Sequence, residues 1–433
     1  MDYFFHLIGE ALKFLFNLNW TQLLRIYWHA LIFDFGRYVI PDLILLPFIL
    51  FSKNPQEEAF RDTLLEKRPL VSVIIPAHNE EQTILATITS VLEQSYTNLQ
   101  IIIVDDGSTD NTYNICIPLV KLESRLSLYR LEERCGKASV ADYAMNFCRG
   151  EYIIITDSDS SFNRDAFLEA LVKFSDPKVG AVAGNLRVRN QRATLLTNLQ
   201  DLEYLLSISF GRIILSWWNI LFIVSGAFGV FKKETLEQFG GWDVGPGEDA
   251  DLTIKSRKSG WKVAFAPRAT CFTKVPDNVW GFIRQRLRWN RSLVRLSIRK
   301  HINIFNFFNS NFSWPNFIGG IDKIFFQGLL SLSFVIYLIY IFYYFYEFSL
   351  IILISAYFLY ILAGFLEYLA AFLISDQKKA DWVLALYVPL FPLYLGLFER
   401  FIRVVAYLDE FCFRRSYKDS FIPARVGKGT IYW

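Results

Sequence analysis

From Ile324 to Tyr346 the chain carries no charged side chain, and from Ser349 to Ile374 it carries only Glu367. At about 1.5 Å rise per residue, either stretch wound as a helix reaches across the roughly 30 Å hydrocarbon core of a bilayer. A third apolar segment, 382–398, is shorter and contains Pro389 and Pro392. It reads as a kinked span or as a broken, re-entrant helix. Near the other end, 31–51 is long enough to span although it carries Asp34, Arg37 and Asp42, and 1–20 reads as a helix lying at the membrane surface. A soluble core helix is the competing reading there. The 41 Phe residues set against 2 Met fit a lipid-facing surface. Basic residues give a topological constraint. Lys378 and Lys379 in one loop, and Arg414, Arg415, Lys418, Arg425 and Lys428 in the tail, all favour the cytoplasmic side. Three full spans cannot place both groups there. A re-entrant third segment, followed by an interfacial amphipathic helix over 399–413, can.

Between these ends lies a segment of different character. A charged linker, 53–68, leads into apolar runs at 70–75, 99–104 and 152–155 that read as buried strands. Segments near 80–94 and 137–148 read as helices; Ile84, Leu85, Ile88, Val91 and Leu92 fall on one helical face. Alternating β and α elements imply a mainly parallel sheet with helices on both faces, and ligands in such sheets bind beyond the carboxyl ends of the strands. The expected division is 1–52 for membrane or interfacial helices, 53–312 for a cytosolic α/β domain ending in an amphipathic interface helix, and 313–433 for transmembrane helices and a basic tail. A net charge of +3 and 20% charged residues leave no polyanion-binding tail and no nucleic-acid partner. Cys116, Cys135, Cys148, Cys271 and Cys412 are odd in number and lack C-x-x-C spacing, which favours a reducing compartment. His6, His29, His78 and His301 are too scattered for a metal cluster.

Acids gather where the strands end. Asp105-Asp106-Gly107-Ser108 follows the second apolar run. Its carboxylates can accept hydrogen bonds from a nucleotide, or simply cap a turn. Asp157-Ser158-Asp159 follows the run at 152–155, and two carboxylates so spaced can hold one hard cation together with substrate phosphates. Gly247-Glu248-Asp249-Ala250-Asp251 puts three acids in four residues, one of them a candidate general base; a solvated helix start is the alternative. Gln285, Arg288 and Trp289 share a helical face, and Arg284, Arg288, Arg291 and Arg295 form a stripe. Arg grips diphosphates, Trp stacks on sugars or bases, and a basic helix also holds anionic lipid head groups.

In this order the motifs resemble the family 2 glycosyltransferases, in particular the membrane-embedded branch of cellulose, chitin, hyaluronan and poly-N-acetylglucosamine synthases. The resemblance covers roughly residues 70–295. It is carried by Pro76-Ala77-His78-Asn79-Glu80, Asp105-Asp106-Gly107-Ser108, Gly136-Lys137-Ala138, Asp157-Ser158-Asp159, Ser225-Gly226-Ala227, Gly247-Glu248-Asp249 and Gln285-Arg286-Leu287-Arg288-Trp289. It implies a glycosyltransferase-A (Rossmann-like) cytosolic fold flanked by transmembrane helices, a UDP-sugar donor, Mg²⁺ or Mn²⁺, and inversion at the anomeric carbon. By the same resemblance His78, Glu80, Asp105, Asp106, Lys137, Asp157 and Arg288 bind the donor, with Asp105 and Asp106 both open as the contact to the base. Asp157 and Asp159 hold the metal. Gln285, Trp289, Glu248 and Gly226 line the acceptor side, and Asp249 is the base. The expected function is elongation, and possible export, of a β-linked polysaccharide at a bacterial inner membrane. Its partners are a growing glycan, the bilayer and a possible export or accessory subunit. The alternatives are a non-processive transferase adding one sugar to a lipid, and a transport or scaffold subunit that only senses nucleotide.

Overall fold

The computed structural model describes residues 2–52, 54–243, 247–309, 312–418 and 423; Arg425 and Lys428 of the basic tail lie outside them. An eight-stranded mixed sheet forms the centre. Its strands are β1 (Val71–Ala77), β2 (Leu99–Asp106), β3 (Leu126–Leu131), β4 (Tyr152–Thr156), β5 (Ser161–Phe162), β6 (Val179–Val188), β7 (Phe228–Lys232) and β8 (Lys262–Thr273), in spatial order β3-β2-β1-β4-β7-β6-β8-β5. Every residue of β1, β2 and β4 is buried, as their unbroken apolar runs require of strands covered on both faces. Alternation divides them cleanly. Val73, Ile75, Ile101, Ile103 and Ile154 enter one core, and Ile74, Ile102, Val104, Ile153 and Ile155 the other.

β1 pairs in parallel with β2 on one side and β4 on the other. The chain therefore winds outward through β2 and β3, then crosses back to β4. That reversal opens a crevice between the carboxyl ends of β1 and β4, which is where a sheet of this kind presents a ligand site. β7 runs antiparallel to both β4 and β6. The helices Ile84–Leu92 and Lys137–Met145 fall inside the segments expected to be helical.

The charged stretch read as a linker is instead helical from Pro55 to Lys67. Asn54 caps its start, Pro55 fits the first position, and Glu57 and Glu58 sit in the first turn. Leu64 enters the sheet core, and Lys173–Glu57 and Arg61–Glu169 ion pairs hold the outer face.

Two helices, Trp314–Tyr344 and Tyr346–Ile374, are long and apolar enough to cross a membrane. The third apolar segment breaks: Lys378–Leu390 and Pro392–Phe413 are bent by 57°. Pro392 has no N–H to continue the ladder, so the chain turns where the sequence lost its donor. Trp20–Phe51 and Pro55–Lys67 form a second bent pair, at 55°. The first helix, Asp2–Asn17, packs through Phe14 and Leu15 beside Tyr27, Tyr337 and Ile352.

Buried ions tie the sheet to these helices. Arg187 at the end of β6 bonds to Asp381, just beyond the second span, and to Asp201, 3.3 Å away. Arg286 donates two bonds to Glu203, at 2.8 and 2.6 Å, and Tyr394 donates a third at 2.6 Å. Burial of charges at such density is tolerated only because each is partnered.

Asp142, on Lys137–Met145, accepts the Trp242 N–H at 2.8 Å. Burial pushes its pKa up to about 6 even so. Because the native state favours the protonated acid, ionised Asp142 costs stability above about pH 6, and the cost fades as pH falls toward 4. Asn keeps the acceptor without the charge. Asp142→Asn is expected to raise the thermal midpoint at pH 8, by the equivalent of about 1–3 kcal/mol, with the gain vanishing near pH 4. A gain that does not change with pH would contradict this.

Candidate active site

The crevice is lined by carboxylates from three strand ends. After β4, Thr87 Oγ1 donates to the Ser158 carbonyl at 2.8 Å and Arg189 Nη1 to the Asp159 carbonyl at 2.9 Å, which fixes the Asp157-Ser158-Asp159 turn. Asp159 Oδ1 is buried and accepts no hydrogen bond. Burial first, then the charges of Asp157 and Glu80, push the Asp159 pKa up to about 6. A buried carboxylate oxygen without a donor, beside two more carboxylates, is the arrangement a divalent cation relieves. Among the described residues no three His, Cys, Asp or Glu side chains converge as a complete metal cage. The protein's contribution fits two carboxylates, Asp157 and Asp159, with the remaining ligands left to a phosphate-bearing substrate.

Lys137 faces this turn. Its ammonium donates to the Asp157 carboxylate and, at 3.0 Å, to the Gly226 carbonyl. The loop that presents it is held by Asp106, whose carboxylate accepts the Cys135 N–H at 2.5 Å and the Gly136 N–H at 2.8 Å. Asp106 is thus committed to backbone. Asp105 is 1% exposed; its Oδ1 accepts the Ser108 N–H at 3.3 Å and its Oδ2 lies 3.2 Å from Arg130. His78 Nδ1 donates to the Asp106 carbonyl at 2.7 Å, and Glu80 accepts the Thr83 hydroxyl at 2.5 Å.

Gly226 is where the two halves of the crevice meet. A methyl group there would stand 2.6 Å from Lys137 Nζ and 3.9 Å from Asp249 Cβ. Only a residue without a side chain admits both. Asp249 opens the helix Glu248–Lys258, and Thr253 anchors that helix start: its hydroxyl donates to the Asp249 carbonyl at 2.7 Å and accepts the Val224 N–H at 2.8 Å. The three acids of the 248–251 cluster then separate by role. Asp249 faces Gly226. Glu248 is half-buried and its pKa is raised, by burial and by Asp249, within the field of Lys137. Asp251 turns inward, against Lys300 at 2.8 Å and His301 at 2.7 Å, which outweigh its burial and keep its carboxyl well below the usual range.

The helix Val279–Leu293 closes the crevice on the side of Asp249. Gly247 has φ +83°, and a methyl on it would meet Ser292 Cβ at 2.7 Å, so this helix crosses directly over the start of Glu248–Lys258. Gln285 Oε1 is buried and accepts no hydrogen bond; Arg288 is half-buried; Trp289 is 41% exposed, with the Arg286 guanidinium 4.7 Å from its ring. The arginine stripe does not form one lipid-facing row. Arg291 pairs with Asp409 at 2.5 Å and Arg295 is buried against the Tyr417 ring. Two cations escaped notice in the sequence. The charge of Asp249 reaches Arg212 and also Lys323, a buried lysine on the first span. A lysine at the head of an uncharged apolar run was the available signal.

Residues 72–240 match Glycosyl transferase family 2. The chain therefore carries a family 2 glycosyltransferase domain, which takes in the crevice from His78 to Gly226, while Asp249 and the helix Val279–Leu293 follow the matched residues. It is homologous to the poly-beta-1,6-N-acetyl-D-glucosamine synthase of Staphylococcus epidermidis, 32% identical over 241 residues covering 54% of this chain and 58% of the relative. The synthase of Staphylococcus aureus strain COL is 29% identical over 280 residues, 64% of each chain. This chain thus spans about three-fifths of the length of those relatives. A mannosyltransferase from Pyrobaculum calidifontis, solved in complex with GDP-Man and Mn²⁺, superposes with a TM-score of 0.55 at 21% identity over 86% of this chain and 99% of its own. That likeness shows the fold.

Asp159→Ala is expected to weaken Mn²⁺-dependent UDP binding by about tenfold or more, the scale of one lost charge-assisted contact. Calorimetric titration with and without Mn²⁺ checks it; equal affinities in variant and wild type would remove Asp159 from the metal site.

Proposed function

We propose that the protein is an inverting, metal-dependent glycosyltransferase that uses a UDP-sugar to elongate a β-linked polysaccharide at the membrane, its sheet domain on the cytoplasmic side. The observation that carries this reading is the junction at Gly226, where Lys137 of the Asp157 half and Asp249 of the opposite half approach one backbone position from two sides. The relatives, named as synthases of an N-acetylglucosamine polymer, make UDP-N-acetylglucosamine the first donor to test.

In this reading the nucleotide lies over the ends of β1 and β2, along His78, Glu80 and Asp105. Asp106 acts by holding the 135–136 loop, and so Lys137, in place. A divalent cation at Asp157 and Asp159 would supply charge neutralisation of the leaving diphosphate. Lys137 and Arg288 add fixed positive charge on the same side. Inversion requires a single in-line displacement, so the acceptor hydroxyl approaches from the face opposite the diphosphate. Asp249 takes its proton as the new bond to the anomeric carbon forms and the bond to the diphosphate oxygen breaks. Gln285 and Trp289 shape the acceptor side, Trp289 offering a flat apolar face to a sugar ring. Glu248 lies beside the base, and Gly226 leaves room for the acceptor.

The test is transfer from labelled UDP-N-acetylglucosamine by purified protein in nanodiscs with Mn²⁺, beside Asp249→Asn. Wild type is expected to transfer label. Asp249→Asn is expected to bind UDP as wild type does and to lose about 10²–10⁴ in rate. Near wild-type transfer by the variant would overturn the assignment of the base.

A further inference from the structure

At the far end of the helix that Asp249 opens lies a cavity of about 650 Å³, away from the sugar-transfer site. Lys255, Arg257, Lys258 and Lys262 line it together with Trp261, Phe312 and neutral polar groups, and among the described residues no carboxylate lines it, although Lys255 pairs with Asp243 at 2.7 Å and Lys262 with Asp176 at 2.8 Å outside its wall. Arg257 is 4% exposed and has no acidic partner; its guanidinium is held by Asn316 at 2.9 Å and by the Asn219 carbonyl at 2.5 Å. Among the described residues Lys258 donates only to Asn303, at 3.1 Å. Burial lowers the pKa of both, Arg257 to about 10; for Lys258 the charge of Asp251 offsets part of that cost, whereas Arg257 bears it with no acidic partner among the described residues. Basic side chains in the last turn of a helix also complement its dipole. That accounts for lysines there, but not for a roomy cavity walled by cations with a buried arginine in it.

The location narrows the ligand. Phe312 and Ser313 lead directly into the span Trp314–Tyr344, and Trp217 and Trp218, just before Asn219, are exposed. Trp217 also lies against Phe48 of the Trp20–Phe51 helix, with ring centroids 6.4 Å apart. Exposed aromatics at the head of a span mark the head-group level of a bilayer.

We propose that this cavity is a binding site for a phosphate group, separate from the donor site, presented at head-group depth by an anionic phospholipid. The phosphate would face Arg257 and Lys258, with Lys255 and Lys262 at the sides.

The experiment uses the full chain in two arms: native mass spectrometry of retained phosphatidylglycerol against phosphatidylcholine, and equilibrium dialysis with labelled inorganic phosphate. Wild type is expected to retain phosphatidylglycerol selectively. Lys258→Glu and Lys262→Glu are each expected to weaken that retention by about tenfold or more, with the thermal midpoint unchanged in the first and lowered only slightly in the second, which gives up a half-exposed pair with Asp176. Lys262 is at the rim, its side chain 44% exposed, so its variant serves if Lys258→Glu fails to fold. Saturable binding of phosphate alone, lost in the same variants, supports the site with a soluble source for its ligand. Retention equal for both lipids, or unchanged by both substitutions, with no phosphate bound, overturns it.

Discussion

The Lys137 ammonium, set between the Asp157 carboxylate and the Gly226 carbonyl, is the contact on which the rest of the crevice depends. Glu80, Asp157, Asp159, Glu248 and Asp249 all bring negative charge into one partly desolvated space, and left alone they would repel. Lys137 feels Asp157, Glu248 and Asp249 at once. Its placement is in turn an outcome of backbone: Asp106 reaches across from the end of β2 to fix the loop before it. An acid at one strand end thus positions a cation for an acid at another. This explains why a site made mostly of carboxylates can be stable before any substrate or metal enters it.

The sheet and the membrane-directed helices are joined by buried charge rather than by apolar packing alone. Arg187 holds Asp381, at the start of the broken third segment, and Arg286 holds Glu203 and lies 3.9 Å from Glu399 in the second half of that segment. Loss of one partner from such a group typically costs about 3–5 kcal/mol, because it strands the other charge. The geometry of Gln285 and Trp289 rides on the same helix as Arg286. The face that carries Gln285 and Trp289 is therefore fixed relative to that broken segment by the ions that hold its helix down.

Much of this was legible in the sequence, and the reasons differ by element. β1, β2 and β4 are short unbroken apolar runs ending in acids, and the parallel core with its strand-end site followed from them. β6 and β8 were not read. β6, VGAVAGNLRV, is built from small residues, and β8 contains Pro267 and Arg268. The two strands shift register at Gly184/Asn185, where Asn185 bonds to the Pro267 carbonyl at 2.8 Å. Such an irregular strand has no clean periodicity to find. The charges at 53–68 resemble a linker because the helix there is mostly polar and buries only Leu64; its signal is the Asn54 cap followed by Pro55, Glu57 and Glu58. Among candidate site residues, local motifs located the acids, but only the fold shows that Asp251 turns inward and that Asp106 serves a loop. Lys323 had a signal, a lysine at the head of an uncharged apolar run, but its nearness to Asp249, like that of Arg212, is purely tertiary.

The central claim is elongation of a glycan by this crevice, and the size of the product tests it most directly. Purified protein in nanodiscs would be supplied with each of a panel of labelled UDP-sugars and Mg²⁺ or Mn²⁺, and the labelled product sized. The account predicts a high-molecular-weight, glycosidase-sensitive product from one donor, UDP-N-acetylglucosamine first among them. A small, lipid-extractable product carrying a single sugar would contradict it and make the protein a single-addition transferase.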